Sequence, residues 1–441
     1  MRLNRQNKLH LFLFTLLLII VSGCSAPFQK DERPNILIIV TDDQRYDTME
    51  FMPETQAAIF DEGATFKHGF ITTPLCCPSR ASILTGTYAH KHEVKYNETE
   101  LTYPTFIELM KENGYYTGLV GKYLNSWKGE PRPEYHYWVS YSKGETRYEN
   151  PRLNVNGEWI RHQGEYVTYS LGNYVIDFLD QADKQSKPFI LLYTPNAPHN
   201  PATPAKEDME LFTDLPPHRP PSFNEEDVSD KPNWLIREGA LSPETIQWID
   251  QFRLDQLRTL VSLDRTILRI MNELEDREML DNTFILFISD NGVHWGEHKL
   301  ITKNRYYEEV SRVPFAIRYP PLIATPYIDT EHVVANIDIA PTALDLAGIP
   351  IPADMDGLSI IPLLSGDTTW RQGVLLEGWP GQGIFGAAHT GDYVYAELYN
   401  DISEFYDLQK DPYQLQNLIY DPQYQALINE HRKLLKELIS N

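Results

Sequence analysis

The sequence predicts an α/β protein, with a large, mostly parallel sheet flanked by helices and then a smaller C-terminal part of antiparallel sheet plus one helix. Three observations carry this. Short apolar runs rich in β-branched residues, at 36–40, 188–193 and 283–289, show no polar alternation, which is the pattern of strands buried on both faces. Helical periodicity fills the stretches between them, and that alternation builds parallel sheets. Beyond about Leu364 the pattern changes to short strand candidates separated by turn residues.

Taken in order, residues 35–40 form the first strand. Residues 104–113 read as a helix closed by Gly114, 116–120 as a short strand and 169–186 as a helix. Residues 203–231 are rich in proline and acids and read as an irregular surface excursion. Residues 243–279 read as one long helix or a kinked pair, with Leu and Ile at core spacing. In the C-terminal part, 374–377, 386–390, 393–398 and 404–408 are strand candidates. Residues 421–439 read as the closing helix, with Asp421 as N-cap and Pro422 at its first position. The chain shows no internal repeat and no low-complexity tract.

Its 441 residues suit one large domain, 34–364, and a smaller one, 365–441. A formal net charge of −23 argues against a nucleic-acid partner, which needs basic patches. Net charge bears on solubility and steering, not on the chemistry inside a pocket. The three cysteines are Cys24, Cys76 and Cys77. Neighbours in sequence make a badly strained disulfide, so no disulfide framework is available and a large core must hold the fold.

Residues 1–10 carry Arg2, Arg5 and Lys8, residues 11–21 are apolar, and Val21-Ser22-Gly23-Cys24 follows. This is the order of a secretory signal, with an apolar run short of the roughly 20 residues of a membrane span. Ending in cysteine, it resembles a bacterial lipobox. That likeness implies removal of a lipoprotein signal peptide, 1–23, and acylation of Cys24, palmitate being one such chain. Residues 24–33 become a tether, and the exported lipoprotein is anchored to a membrane of the cell envelope, at the outer membrane or cell surface. The alternative is an ordinary signal peptide with a chance cysteine.

Sites in open α/β sheets form at the carboxyl ends of strands. One strand ends in Thr41-Asp42-Asp43-Gln44 and another in Ser289-Asp290-Asn291-Gly292. Paired carboxylates repel unless a cation lies between them, and carboxylate with amide oxygen is a Ca²⁺-type set. Asp42, Asp43, Asp290 and Asn291 therefore read as metal ligands, though each pair taken singly serves equally to cap a turn. A third segment runs Cys76-Cys77-Pro78-Ser79-Arg80-Ala81-Ser82-Ile83-Leu84-Thr85-Gly86. Pro78 suits a first helical turn and Gly86 can end the helix. Cys76 then sits at a helix N-terminus, which favours an anion, with Arg80 one turn further on. The plainer reading is a buried cysteine pair beside an ion pair.

This last segment resembles the sulfatase signature, Cys-x-Pro-Ser-Arg followed by Leu-Thr-Gly. Residues 404–408, with Asp411-Pro412 and Asn417-Leu418, resemble the same family's C-terminal signature, so the likeness covers nearly the whole mature chain. It implies an alkaline-phosphatase-like fold. It also implies oxidation of Cys76 to formylglycine by a formylglycine-generating enzyme, and one Ca²⁺ held by Asp42, Asp43, residue 76, Asp290 and Asn291. The hydrated aldehyde then attacks sulfate esters, with Arg80, Lys122 and Lys303 on the sulfate and His199 on the leaving-group side. The chain departs from the common Gly-Lys-Trp-His form, because Gly121-Lys122-Tyr123-Leu124-Asn125 puts leucine where that histidine stands. Its role is dropped or passes to Asn125 or another group. The form found here resembles the N-acetylglucosamine-6-sulfatase branch, which implies a sulfated glycan as substrate and a part in polysaccharide degradation. Further candidates for substrate contact are Asn125, His92, His294 and His389, with Tyr123, Trp127 and Trp379. His92 and His294 read equally as structural histidines. Two alternatives stand beside this reading, a phosphodiesterase or phosphonate monoester hydrolase of the same superfamily and a non-catalytic lipoprotein that binds sulfated glycan.

Overall fold

The computed structural model describes residues 31–381 and 383–440. The leader and Cys24 lie outside the described residues. Among the described residues, no helix is long and apolar enough to cross a membrane.

Ten strands form the large sheet: β1 (Asn35–Thr41), β2 (Ala64–Phe70), β3 (Tyr116–Gly121), β4 (Tyr137–Ser140), β5 (Arg152–Val155), β6 (Glu158–Arg161), β7 (Phe189–Thr194), β8 (Thr283–Ser289), β9 (Phe315–Arg318) and β10 (Tyr327–Ala335). Their order is β10-β2-β9-β8-β1-β7-β3-β4-β5-β6. The centre, β8-β1-β7-β3-β4, is parallel. The short β9 runs antiparallel between β8 and β2, and the β5–β6 hairpin closes one edge. β1 has a core on each side. Ile36, Ile38 and Val40 join one apolar cluster and Leu37 and Ile39 the other, which is why its sequence lacks polar alternation.

The register positions the site. β1 and β8 pair from Asn35↔Thr283 to Thr41↔Ser289, so Asp42 and Asp290 leave the sheet side by side. β3 and β7 pair to Gly121↔Thr194, so Lys122 emerges at the same edge, beside the loop that carries His199.

The expected helices are present, with two refinements. The stretch after Ser242 is one continuous helix of 34 residues, Pro243–Asp276, begun by Ser242 Oγ accepting from the Thr245 N–H at 3.2 Å. It buries Leu257, Leu260, Leu263, Ile267, Ile270 and Leu274 against one face of the sheet. The closing helix is Gln425–Ser440, four residues later than Asp421 implied. Asp421 instead closes a turn: its Oδ1 accepts from Gln423 N–H and its carbonyl from Tyr424 N–H. Residues 203–231 are irregular, with one short 3-10 turn at Lys206–Asp208.

The second sheet is an antiparallel meander of β11 (Val374–Gly378), β12 (Phe385–His389), β13 (Tyr393–Leu398) and β14 (Glu404–Asp407). It shares an apolar cluster with Phe70, Tyr88, Tyr306 and Tyr307 of the larger part. Glu404 is buried there, accepting from Tyr406 OH at 2.5 Å and from Tyr307 OH at 3.3 Å. Burial pushes its carboxyl up to about 8, against a pull from Lys231.

The folded chain thus keeps a proton that the unfolded chain loses near the ordinary value of 4.5. Stability from this group is full below that pH and falls as pH rises towards about 8. Glu404→Gln is expected to leave the unfolding midpoint unchanged at acid pH and to raise it at pH about 8. An equal shift at both, by thermal unfolding, contradicts this.

Candidate active site

The strand ends deliver their carboxylates, Asp42, Asp43 and Asp290, into buried surroundings. Asp43 takes a left-handed φ of +68°, uncommon for a residue with a side chain. That turn lets its N–H donate to Asp290 Oδ1 at 3.1 Å. Cys76 opens the helix Cys76–Thr85, all of whose residues are buried, and Gly86 ends it at φ +67°. The Cys76 thiol donates to Asp42 Oδ1 at 3.7 Å and accepts from Lys303 Nζ at 2.8 Å. Lys303 Nζ also donates to Asp43 Oδ1. Lys122 Nζ donates to both Asp42 oxygens, at 3.0 and 2.8 Å. Arg80 donates from Nε to Asp290 Oδ2 at 2.7 Å and from Nη1 to the Lys122 carbonyl at 3.1 Å.

Three buried carboxylates thus face three cations, Lys122 and Arg80 buried and Lys303 part-buried. Burial alone would raise Asp42, but Lys122, His199 and Arg80 outweigh it and hold the carboxyl at about 2. Burial is likewise outweighed at Asp43, chiefly by Lys303 and His199, and its carboxyl also falls below the ordinary range. The cations respond in kind. Burial works against charge on Lys122, Lys303 and Arg80, yet Asp42, Asp43 and Asp290 raise each of them above its usual value. Burial pushes the Cys76 thiol up to about 12, so thiolate is scarce at neutral pH.

His199 sits at the open side, with its side chain 24% exposed and Nε2 3.7 Å from Asp43 Oδ2. Its Nδ1 lies 2.6 Å from the Asn200 carbonyl, which can only accept, so Nδ1 carries a proton. The Tyr148 hydroxyl donates to the His199 carbonyl at 2.8 Å and steadies the loop.

The donor set fits a divalent cation. Ligand atoms of Asp42, Asp43, Cys76 and His199 all lie within 4.8 Å of one another. Asn291 Nδ2 is used, donating to Asp43 Oδ1 at 2.5 Å, but its Oδ1 is buried with no hydrogen-bond partner. A buried acceptor left unpaired costs about 1–3 kcal/mol, and a hard cation is the partner that carboxylate and amide oxygens suit.

The three histidines read as substrate contacts are all buried. His92 is buried, its Nε2 3.0 Å from Ser82 Oγ and its Nδ1 accepting from Val94 N–H, and burial pushes it down to about 3. His294 is buried with Nδ1 2.7 Å from the Thr302 carbonyl and is pushed down to about 3 by burial. His389 is fully buried against Glu308, at 2.7 Å, and against the Phe70 ring. Each neighbours a motif in sequence but is held in buried surroundings. Tyr123 is also core, packed on Trp127 and Trp138, and Trp379 lies under Lys95. Asn125 stays half-exposed beside Lys122. A Cβ on Gly144 would lie 2.9 Å from Asn125 Oδ1 and 3.0 Å from Lys122 Cε, so only glycine, here at φ +64°, allows that approach. Leu124 is buried in the core.

Tyr141 was not legible. It follows β4, is buried, and its hydroxyl has no partner. Burial and then Asp42 push it well above its ordinary value, with Arg80 and Asp290 among its charged neighbours. The strand that delivers it is four residues long and gives no apolar run.

Comparison with known proteins agrees with this geometry. The sulfatase family profile matches residues 34–349, and the profile described as N-sulphoglucosamine sulphohydrolase, C-terminal, matches residues 296–441. The chain is 35% identical over 371 residues to the extracellular sulfatase SULF-1 homolog of Drosophila melanogaster, covering 80% of this chain and 33% of that protein. This chain therefore spans about a third of that relative's length. It is 34% identical over 421 residues to the human N-acetylglucosamine-6-sulfatase, covering 87% of this chain and 74% of that one. A solved protein in complex with its substrate, D-glucosamine-2-N,6-O-disulfate, superposes with a TM-score of 0.82 at 26% identity. That match covers 92% of this chain and 97% of the other.

Replacing Arg80 by methionine strands Asp290 as a buried carboxylate without its bonded cation. The expected loss of folding stability is about 3–5 kcal/mol, read by denaturant unfolding, and a change under about 1 kcal/mol contradicts the assigned pairing.

Proposed function

The chain belongs to the sulfatase family, and from that premise we propose that it hydrolyses sulfate esters of a sulfated glycan, the 6-O-sulfate of a glucosamine unit foremost. The observation that carries this reading is the convergence on Cys76 of Lys303 and of the Asp42–Lys122 pair, inside a carboxylate and amide pocket. The substrate follows from the human relative's name and from the sugar bound by the solved neighbour.

In this reading Asp42, Asp43, Asp290, Asn291 and residue 76 hold Ca²⁺, and Cys76 matures to formylglycine. Together these supply a nucleophilic oxygen and Lewis-acid pull on the sulfate. The unmodified thiol is a poor nucleophile here, being pushed up to about 12. Asp42 and Asp43 keep Lys122 and Lys303 charged in a buried site, where both stabilise charge developing on sulfate oxygens. Asp290 fixes the Arg80 fork for the same task. His199 keeps one proton on Nδ1 against the Asn200 carbonyl, so its imidazolium form carries a second on Nε2, on the open side, and gives that one to the departing alcohol, leaving the neutral ring. The pocket's own carboxylates and cations cancel, so a divalent ion makes it net positive and ready for a sulfate ester anion. Export and acylation at Cys24 belong to the same proposal, and incorporation of labelled palmitate that Cys24→Ala abolishes is the expected result.

Protein co-produced with a formylglycine-generating enzyme is expected to release sulfate from glucosamine 6-sulfate. Chelation should abolish release and Ca²⁺ restore it. Cys76→Ser should fall to background, with mass spectrometry of the wild-type peptide showing an aldehyde at residue 76. Faster turnover of an aryl phosphodiester than of any sulfate ester overturns the reading in favour of a phosphodiesterase, and unimpaired turnover by Cys76→Ser overturns the mechanism.

A further inference from the structure

Beyond Lys122, at the β6 edge of the large sheet, lies a groove of about 470 Å³ lined by Lys128, Arg147, Arg152, Trp159 and Arg161. That volume lies in the range of about 300–1,000 Å³ typical of small-molecule sites. Four cations meet there against Glu130 and Glu145, in a chain of net charge −23. Among the described residues, none of the four forms an ion pair, and all four side chains are exposed.

Their placement on the hairpin is unfavourable in isolation. Arg152 and Arg161 are direct cross-strand partners in the β5–β6 register, and like charges set opposite destabilise a sheet. Trp159, two residues before Arg161, shares their face, and the Arg152 guanidinium lies 4.9 Å from the Trp159 ring centre. Charge on an edge strand discourages stray pairing. That purpose is met on the strand alone and does not gather Lys128 and Arg147 onto the same groove from two separate loops.

One loop touches both the groove and the catalytic pocket. Ser142 and Glu145 on its wall flank Gly144, which lies against Asn125 and the Lys122 side chain. The Lys143 N–H donates to the Trp127 carbonyl at 2.7 Å and ties the two loops together. A Cβ on Gly129 would lie 2.7 Å from the Trp159 ring, so the indole packs directly on that loop. Arg147 is three residues beyond Gly144, at most about 11 Å along the chain.

We propose that this groove is a second anion subsite of the same active centre. It holds a sulfate or carboxylate on a neighbouring sugar of the chain whose ester lies between Lys122 and Lys303, with Trp159 against the sugar face. The substrate is then a polyanionic oligosaccharide, not an isolated sugar sulfate. This rests on the sulfatase reading and deepens it.

The test compares the wild type, a triple variant with Arg147→Ser, Arg152→Ser and Arg161→Ser, and a charge-matched control with Lys184→Ser, Lys433→Ser and Lys436→Ser. Sulfate release is measured on glucosamine 6-sulfate and on a heparin-derived hexasaccharide. The triple variant is expected to raise KM for the hexasaccharide by about tenfold, in line with several exposed ion pairs. The rise should shrink at high salt, kcat and the monosaccharide should be unaffected, and the control should match wild type. An unchanged hexasaccharide KM, or an equal loss on both substrates, overturns the proposal. So does a defect confined to binding of phosphatidylglycerol vesicles, which would make the groove a membrane contact. If the wild type releases sulfate from neither probe, the sulfatase reading fails by itself. Calorimetric binding of the hexasaccharide then decides the groove, and equal affinity in wild type and triple variant overturns it.

Discussion

The structure depends on one constraint: three carboxylates and three cations are drawn out of water together at the edge of the central sheet, Lys303 only in part, and each is tolerable only because the others are there. Taking an ion out of water costs several kcal/mol even after relaxation. Asp42 with Lys122, Asp43 with Lys303 and Asp290 with Arg80 offset that cost pair by pair. The parallel register of β1 with β8 and of β3 with β7 sets the spacing, since it decides which residues leave the sheet side by side. A slip of one residue would turn each strand over and bury the charges without partners.

Such pairs seldom stabilise a fold better than apolar side chains of the same volume. Their presence here makes sense through what they hold in readiness. Lys122 and Lys303 stay charged in a site buried enough for charge to act strongly, and the Asn291 oxygen and Arg80 Nη2, neither of which has a hydrogen-bond partner though Nη2 lies 3.8 Å from Asp42 Oδ2, leave capacity for groups the chain itself does not supply. The same burial suppresses ionisation of the Cys76 thiol.

The centre of the site was legible because its signals are local. Asp42-Asp43 and Asp290-Asn291 each follow an apolar run, and the Cys76 segment carries its own start and stop in Pro78 and Gly86. His92, His294 and His389 were picked out by the same local signals, and the structure finds all three buried. Nearness to a motif along the chain says nothing about which way a side chain turns, and each of these rings is buried with at least one nitrogen bonded to a neighbour, Nε2 of His294 alone being left without a partner. Tyr141 and the β5–β6 hairpin left no trace, because β4 to β6 are four residues each and form by pairing onto an existing sheet. The closing helix began late because Asp421 and Pro422 make a good turn as readily as a good helix start.

The chain's overall charge poses a last question of physics. A protein of net charge −23 repels a polyanion at long range, yet its pocket is shaped for an anion. The Debye length of about 8 Å at physiological ionic strength removes most of the distant repulsion, so the charges nearest the entrance decide the approach. Inside, every cation is matched by a carboxylate and projects little field. In the groove proposed as its rim, Lys128, Arg147, Arg152 and Arg161 outnumber Glu130 and Glu145. They are the groups placed to reverse the sign of the potential where a chain of anionic sugars must enter. On this argument the rim sets capture and the paired interior sets chemistry, so charge removed from the rim changes KM before it changes kcat.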